Sequence, residues 1–116
     1  MVRESSDALA TDDLAVIQVA SYIRDNACSE IVVGDVIQHI GLSRTSLESR
    51  FKNILRRTMH EEIHRVRIER AKELLSDTDL PIKWIAQESG FKSPQYLTRV
   101  FRLATSVTPA DFRRSR

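Results

Sequence analysis

Two stretches decide how this chain folds: Gly41-Leu42-Ser43-Arg44-Thr45-Ser46-Leu47-Glu48-Ser49-Arg50-Phe51-Lys52 and Gly90-Phe91-Lys92-Ser93-Pro94-Gln95-Tyr96-Leu97-Thr98-Arg99-Val100-Phe101-Arg102. Ser43, Leu47, Phe51 and Lys52 recur 50 residues later as Ser93, Leu97, Phe101 and Arg102. Just upstream, Val33, Val36, Ile37 and Gly41 recur 49 residues later as Ile82, Ile85, Ala86 and Gly90. The offset changes by one inside the turn, where the second copy carries an extra residue. Each half therefore reads as a short helix, a glycine-containing turn and a capped helix with Leu and Phe four apart. That is a helix-turn-helix signature, whose second helix can lie in a DNA major groove. One copy is a weak signal, because any tight helical corner needs a glycine and a cap. Two copies at one period are much stronger.

Outward from the repeat, the same helical spacing continues. Leu14, Ile17, Ala20 and Ile23 follow Asp12 and Asp13, which suit a helix N-terminus. Residues 26–30 break that pattern, and Val33, Val36, Ile37 and Ile40 share the next apolar face. Between the two copies a central helix over about 59–75 spans about 25 Å at 1.5 Å per residue. Met59, Ile63, Val66, Ala71, Leu74 and Leu75 form its apolar side. Pro81 opens a short helix through Glu88, Ser93-Pro94 caps the next, and Thr108-Pro109 repeats the device before a last helix containing Phe112. The expected fold is all-α, with about seven helices and two helix-turn-helix lobes joined by a long central helix. The expected organisation is a flexible leader over 1–13, a first lobe over 14–58, a connecting helix over 59–76 and a second lobe over 77–116.

Composition narrows the functional classes. At 116 residues and 41% apolar content the chain suits one folded domain, and its single cysteine, Cys28, cannot form an internal disulfide. No apolar run approaches the ~20 residues of a membrane span. The net charge of +2 divides into −3 over residues 1–13 and +5 over 14–116. A basic domain behind an acidic leader is compatible with nucleic acid, though charge alone also fits an ordinary solvated surface.

The residues that now stand out resemble the DNA-binding domain of the AraC/XylS family of bacterial transcription regulators. The resemblance covers about 14–114. It is most specific at Pro81-Ile82, Ile85-Ala86, Gly90-Phe91, Ser93, Tyr96-Leu97, Arg99, Phe101, Thr108-Pro109 and Phe112-Arg113. The central helix matches through Arg67-Ile68, Ala71 and Leu74-Leu75, and the first half through 41–44 with Leu47, Arg50, Phe51 and Lys52. Tyr22-Ile23-Arg24, Ala27-Cys28 and 47–52 are similar to the xylose-operon regulators within the family. Four positions depart: Ile37 stands where the family usually has alanine, Arg56 and Ser106 where it has glycine, and Met59 replaces a common proline. A left-handed residue other than glycine costs about 1 kcal/mol, so the ends of both recognition helices are expected to close differently here.

With Leu47, Phe51 and Ile54 inward, Arg44, Thr45, Glu48 and Ser49 are the base-contact candidates of the first recognition helix, and Gln95, Thr98 and Arg99 those of the second. Glu48 suits a cytosine amino group, Thr45 a thymine methyl, Gln95 adenine and Arg99 guanine. Ser43, Lys52, Lys92, Ser93, Tyr96 and Arg102 are the phosphate candidates, helped by the positive N-termini of both helices. Glu48 has a plain alternative, a surface pair with Lys52 one turn later. Arg67 is expected to form a structural salt bridge, and Trp84 to lie in the core or an interface.

Two other readings compete. His60-Glu61-Glu62-Ile63-His64 is a literal H-E-x-x-H on a helix, in which two imidazoles one turn apart share zinc and Glu61 acts as base, with Glu88 as a third ligand. A zinc hydrolase also needs a substrate cleft, and this chain offers no convincing strand to wall one. A helical protein-interaction module using Trp84 or the acidic leader has no need of two equivalent outward polar faces. The expected function is therefore sequence-specific binding of double-stranded DNA and transcription regulation, with no enzymatic activity, no cofactor and no metal. The resemblance also implies activation through RNA polymerase contact, a cytoplasmic, nucleoid-associated location, and a sensing or dimerisation domain on another part of a longer chain.

Overall fold

Five helix starts are fixed by a side chain that accepts a first-turn backbone N–H. Asp13 accepts from Ala15 and Val16, Ser43 from Ser46, Thr58 from Glu61, Ser93 from Tyr96 and Thr108 from Asp111. Each such cap contributes about 1 kcal/mol. The computed structural model describes residues 11–116. They form α1 (Leu14–Asn26), α2 (Val33–Ile40), α3 (Arg44–Leu55), α4 (Met59–Asp77), α5 (Ile82–Glu88), α6 (Pro94–Thr105) and α7 (Pro109–Arg114), with no strand among the described residues. The all-α expectation holds. No described helix is long and apolar enough to cross a membrane.

Several local details differ from the sequence reading. Residues 1–10 of the expected leader lie outside the described residues, but Asp13, assigned to that leader, is the cap of α1. Its carboxylate also receives Arg50 Nε and Nη2 from α3 at 3.0 and 2.8 Å. Pro81 precedes α5 as its N-cap residue rather than serving as its first turn. Of the two places expected for Trp84, the core is excluded: the side chain is 44% exposed, with Lys83 Nζ 5.6 Å from its ring centroid.

Two apolar clusters form the interior, and α4 serves both. Val16, Val19, Ile23, Val36, Leu47 and Phe51 pack with Met59 and Ile63 of α4. Leu97, Val100, Phe101, Ile85 and Phe91 pack with Ile68, Ala71, Leu74 and Leu75 further along it. Arg67 sits at the division and is buried. Among the described residues it makes no salt bridge, contrary to expectation. Its guanidinium donates to the backbone carbonyls of Ala27 (2.6 Å), Ser29 (3.2 Å) and Ile31 (3.0 Å), tying the loop between α1 and α2 to the middle of α4. Three carbonyls in a fixed arc suit a planar fork of donors.

The recognition-helix ends also overturn an expectation. Arg56 and Ser106 adopt left-handed conformations, φ 64° and 71°, and close α3 and α6 by donating their N–H to Lys52 and Arg102 carbonyls. The chain keeps the glycine-type ending and bears its strain, because the backbone bond closes the helix whichever side chain is present. Ser106 is exposed, so Ser106→Gly relieves that strain and returns part of the gain as unfolded-chain entropy. The expected net is about 0.5 kcal/mol of added stability, or roughly 2–4 °C in a thermal melt. An unchanged or lowered Tm would contradict this.

Candidate nucleic-acid interface

The inner stripe of each recognition helix leaves a polar face outside. In α3, Leu47 and Phe51 are fully buried, while Arg44, Thr45, Glu48, Ser49 and Lys52 are exposed. In α6, Leu97 and Phe101 are fully buried; Gln95, Arg99 and Arg102 are exposed and Thr98 is half-buried. Gln95, Thr98, Arg99 and Arg102 line one shallow surface depression with Pro94, as their i, i+3, i+4, i+7 spacing dictates.

The two faces differ electrostatically. On α3, Glu48 pairs with Arg44 one turn earlier, at 3.1 Å, and not with Lys52. Both partners are about half exposed, so the pair contributes only about 0.3–0.5 kcal/mol and opens readily. On α6 and its preceding turn, Lys92, Arg99 and Arg102 form no ion pair among the described residues. Arg99 instead lies over the Tyr96 ring, 5.4 Å from its centroid. The second face is thus the more positive of the two.

Three polar candidates are already engaged within the fold. The Ser43 and Ser93 hydroxyl oxygens accept Ser46 and Tyr96 backbone N–H groups at 3.2 and 3.0 Å, which leaves their own O–H free to donate. Tyr96 is half-buried, and its hydroxyl lies 3.2 Å from His64 Nε2. Sequence reasoning missed this last contact, since the partners stand 32 residues apart. Burial, followed by the nearby positive charges of His60, Arg67 and Arg99, pushes the His64 pKa below the usual histidine value.

The H-E-x-x-H stretch lies on the first turns of α4 and is used otherwise. Glu61 closes a capping box: its carboxylate accepts the Thr58 N–H at 2.8 Å while Thr58 Oγ1 accepts from Glu61 N–H at 3.0 Å. Glu62 is buried between Arg57 and Arg65, and those guanidinium groups hold its carboxyl below the usual range against the opposing effect of burial. The His60 and His64 rings stand 4.4 Å apart. Among the described residues, however, no three of His, Cys, Asp and Glu come together as a ligand set.

A family model described as a helix-turn-helix domain matches residues 36–115. The xylose operon regulatory protein of Haemophilus influenzae is 45% identical over 111 residues, which are 96% of this chain and 29% of that protein. Among solved structures, one described as the xylose-binding transcription activator xylR superposes with a TM-score of 0.81 at 41% identity, over 99% of this chain and 30% of that one. The C-terminal domain of AraT, a response regulator from Geobacillus stearothermophilus, superposes with a TM-score of 0.85 at 28% identity, over 88% and 85% of the two chains. The chain spans less than a third of the length of the curated relatives at the highest identities, 28–29% of each.

Proposed function

Because the chain belongs to the helix-turn-helix family of AraC-type transcription regulators, we propose that it binds double-stranded DNA sequence-specifically and regulates transcription, with α3 and α6 in adjacent major grooves. The observation that carries this reading is the doubled outward polar face, on two capped helices held to one shared spine. The molecule's longest dimension, 41 Å, accommodates the ~34 Å between successive major grooves on one side of a duplex. Lobes over 14–58 and 77–116, joined by 59–76, would each present one helix. Arg44, Thr45, Glu48, Ser49, Gln95, Thr98 and Arg99 are the proposed base contacts. Ser43, Lys52, Lys92, Ser93, Tyr96 and Arg102 are the proposed phosphate contacts. The Arg44–Glu48 pair has to open for either side chain to reach a base. RNA polymerase, and a sensing or dimerisation domain such as the longer relatives have room for, are proposed partners. The proposed place of action is the chromosome in the cytoplasm.

Selection from a random duplex library at two salt concentrations tests the reading. An enriched site with two blocks about one helical turn apart supports it. Salt-sensitive binding without sequence preference would leave DNA as partner and remove base reading. No binding at low salt would defeat the proposal. On the enriched site, Arg99→Ala should cost about 1–3 kcal/mol and loosen preference at one base position. Equal losses on enriched and random duplexes would make Arg99 a phosphate contact instead.

A further inference from the structure

We propose that His60, His64 and the Tyr96 hydroxyl form a proton-linked site for a backbone phosphate of the bound duplex, in the seam between the two recognition helices. The proposal rests on the DNA-binding reading above and adds His60 and His64, to which that reading gives no role, to its phosphate candidate Tyr96. Its basis is placement. His60, His64 and Tyr96 form a wall shared by two cavities. On one side they border a cavity of about 460 Å³ with Lys92 and Ser93. On the other they border a groove of about 720 Å³ with Arg99. The histidine pair is thus flanked on both sides by residues assigned to DNA. A protein that reads two successive major grooves from one side must also cross the sugar-phosphate strands between them. The first turns of α4, which follow directly on α3, present His60 and His64 beside α6.

The surrounding charge favours an anion there. Around His64, α4 supplies His60, Arg65, Arg67 and Lys72, with Glu61 and Glu69 lining the same groove; α6 supplies Arg99 and Tyr96; the preceding turn supplies Lys92; and the α1–α2 loop supplies Glu30. Glu61 is committed to its cap, Glu62 pairs with Arg65 and Glu69 with Lys72, while the charges that act on His64 itself, those of His60, Arg67 and Arg99, are positive. Arg99 and Lys92 form no ion pair among the described residues, and a phosphate would supply them one.

Proton position then sets what Tyr96 can do. A neutral His64 accepting at Nε2 takes the Tyr96 hydroxyl hydrogen, leaving the phenol no donor for a phosphate. Once His64 is protonated, Nε2–H donates to the phenol oxygen instead, and the Tyr96 O–H is free to donate outward. His64 is held below its usual pKa in the free protein, and a neighbouring phosphate raises it. Binding therefore takes up a proton. The added affinity is present at low pH and is lost as pH rises through the bound-state pKa.

The test measures duplex affinity at pH 6 and pH 8 and fixed salt, with a dye that does not titrate in that range. The duplex is the site enriched from the random library. Wild type should bind about tenfold more tightly at pH 6 than at pH 8. His60→Gln/His64→Gln should bind at both pH values as wild type does at pH 8, since glutamine keeps a partner for Tyr96 and takes no proton. His39→Gln, in α2 and stacked on Tyr22, should keep the wild-type dependence. Tight binding with a flat wild-type profile, or a double variant that keeps the slope, overturns this site and leaves the DNA reading intact. No binding at either pH defeats the DNA reading itself, and this site with it. In the wild type, His64 ring signals followed by NMR should show its pKa rising on addition of duplex. Inorganic sulfate raising it equally would assign the site to a small free anion and overturn the backbone assignment.

Discussion

Gly90→Ala destabilises the fold by about 2–5 kcal/mol, whereas Gly41→Ala, at the equivalent position of the first repeat, costs about 1–2 kcal/mol. Both glycines are left-handed, with φ +92° and +86°. Their surroundings separate them. An added Cβ at Gly41 meets nothing within 4 Å. At Gly90 it would stand 2.7 Å from the Ala27 carbonyl oxygen, 2.9 Å from Cys28 Cα and 3.0 Å from Arg67 Nε. Two of those atoms are backbone, so relief requires the second helix-turn-helix to back away from the α1–α2 loop. That movement strains the Arg67–Ala27 hydrogen bond, the shortest of the three by which Arg67 holds the loop. Urea denaturation of the two variants checks the contrast. Equal losses would mean that only backbone conformation matters and that the close approach at Gly90 relaxes freely.

The repeat was legible because it depends on local chemistry: a helix face, a glycine turn, a hydroxyl cap, then Leu and Phe one turn apart. The structure puts Ser43, Ser93 and Thr108 where those rules require. What escaped is held by partners far apart in the chain. Arg67 reaches carbonyls 36–40 residues away, and backbone carbonyls carry no residue-type signal, so a salt bridge was the natural expectation. The glycines at 41 and 90 look alike in sequence, yet only the second is closed in by a neighbouring loop. The candidate interface divides in the same manner. Helical periodicity assigned its outward faces, but which charge Glu48 takes, and that Tyr96 meets His64, depend on rotamers and on tertiary neighbours.

Phe101→Ala and Phe51→Ala are each expected to remove about 3–5 kcal/mol, a large share of the ~5–15 kcal/mol by which a domain is folded. Both rings are fully buried, one in each cluster. Phe101 also meets Phe112 edge-on, with centroids 5.4 Å apart; such a pair adds about 0.5–1.5 kcal/mol, so its loss should be the greater. The more informative result is the shape of the transition. Met59 and Ile63 of α4 belong to the first cluster, and Ile68, Ala71, Leu74 and Leu75 to the second. A helix is cooperative along its length, so losing one cluster frays the half of α4 that the other needs. Gly90 and Arg67 bind the two halves again at the α1–α2 loop. Each variant should therefore unfold in one transition, with the whole helical signal moving to lower denaturant. Two separate transitions, only one displaced by each substitution, would show that the lobes fold independently and that α4 merely connects them.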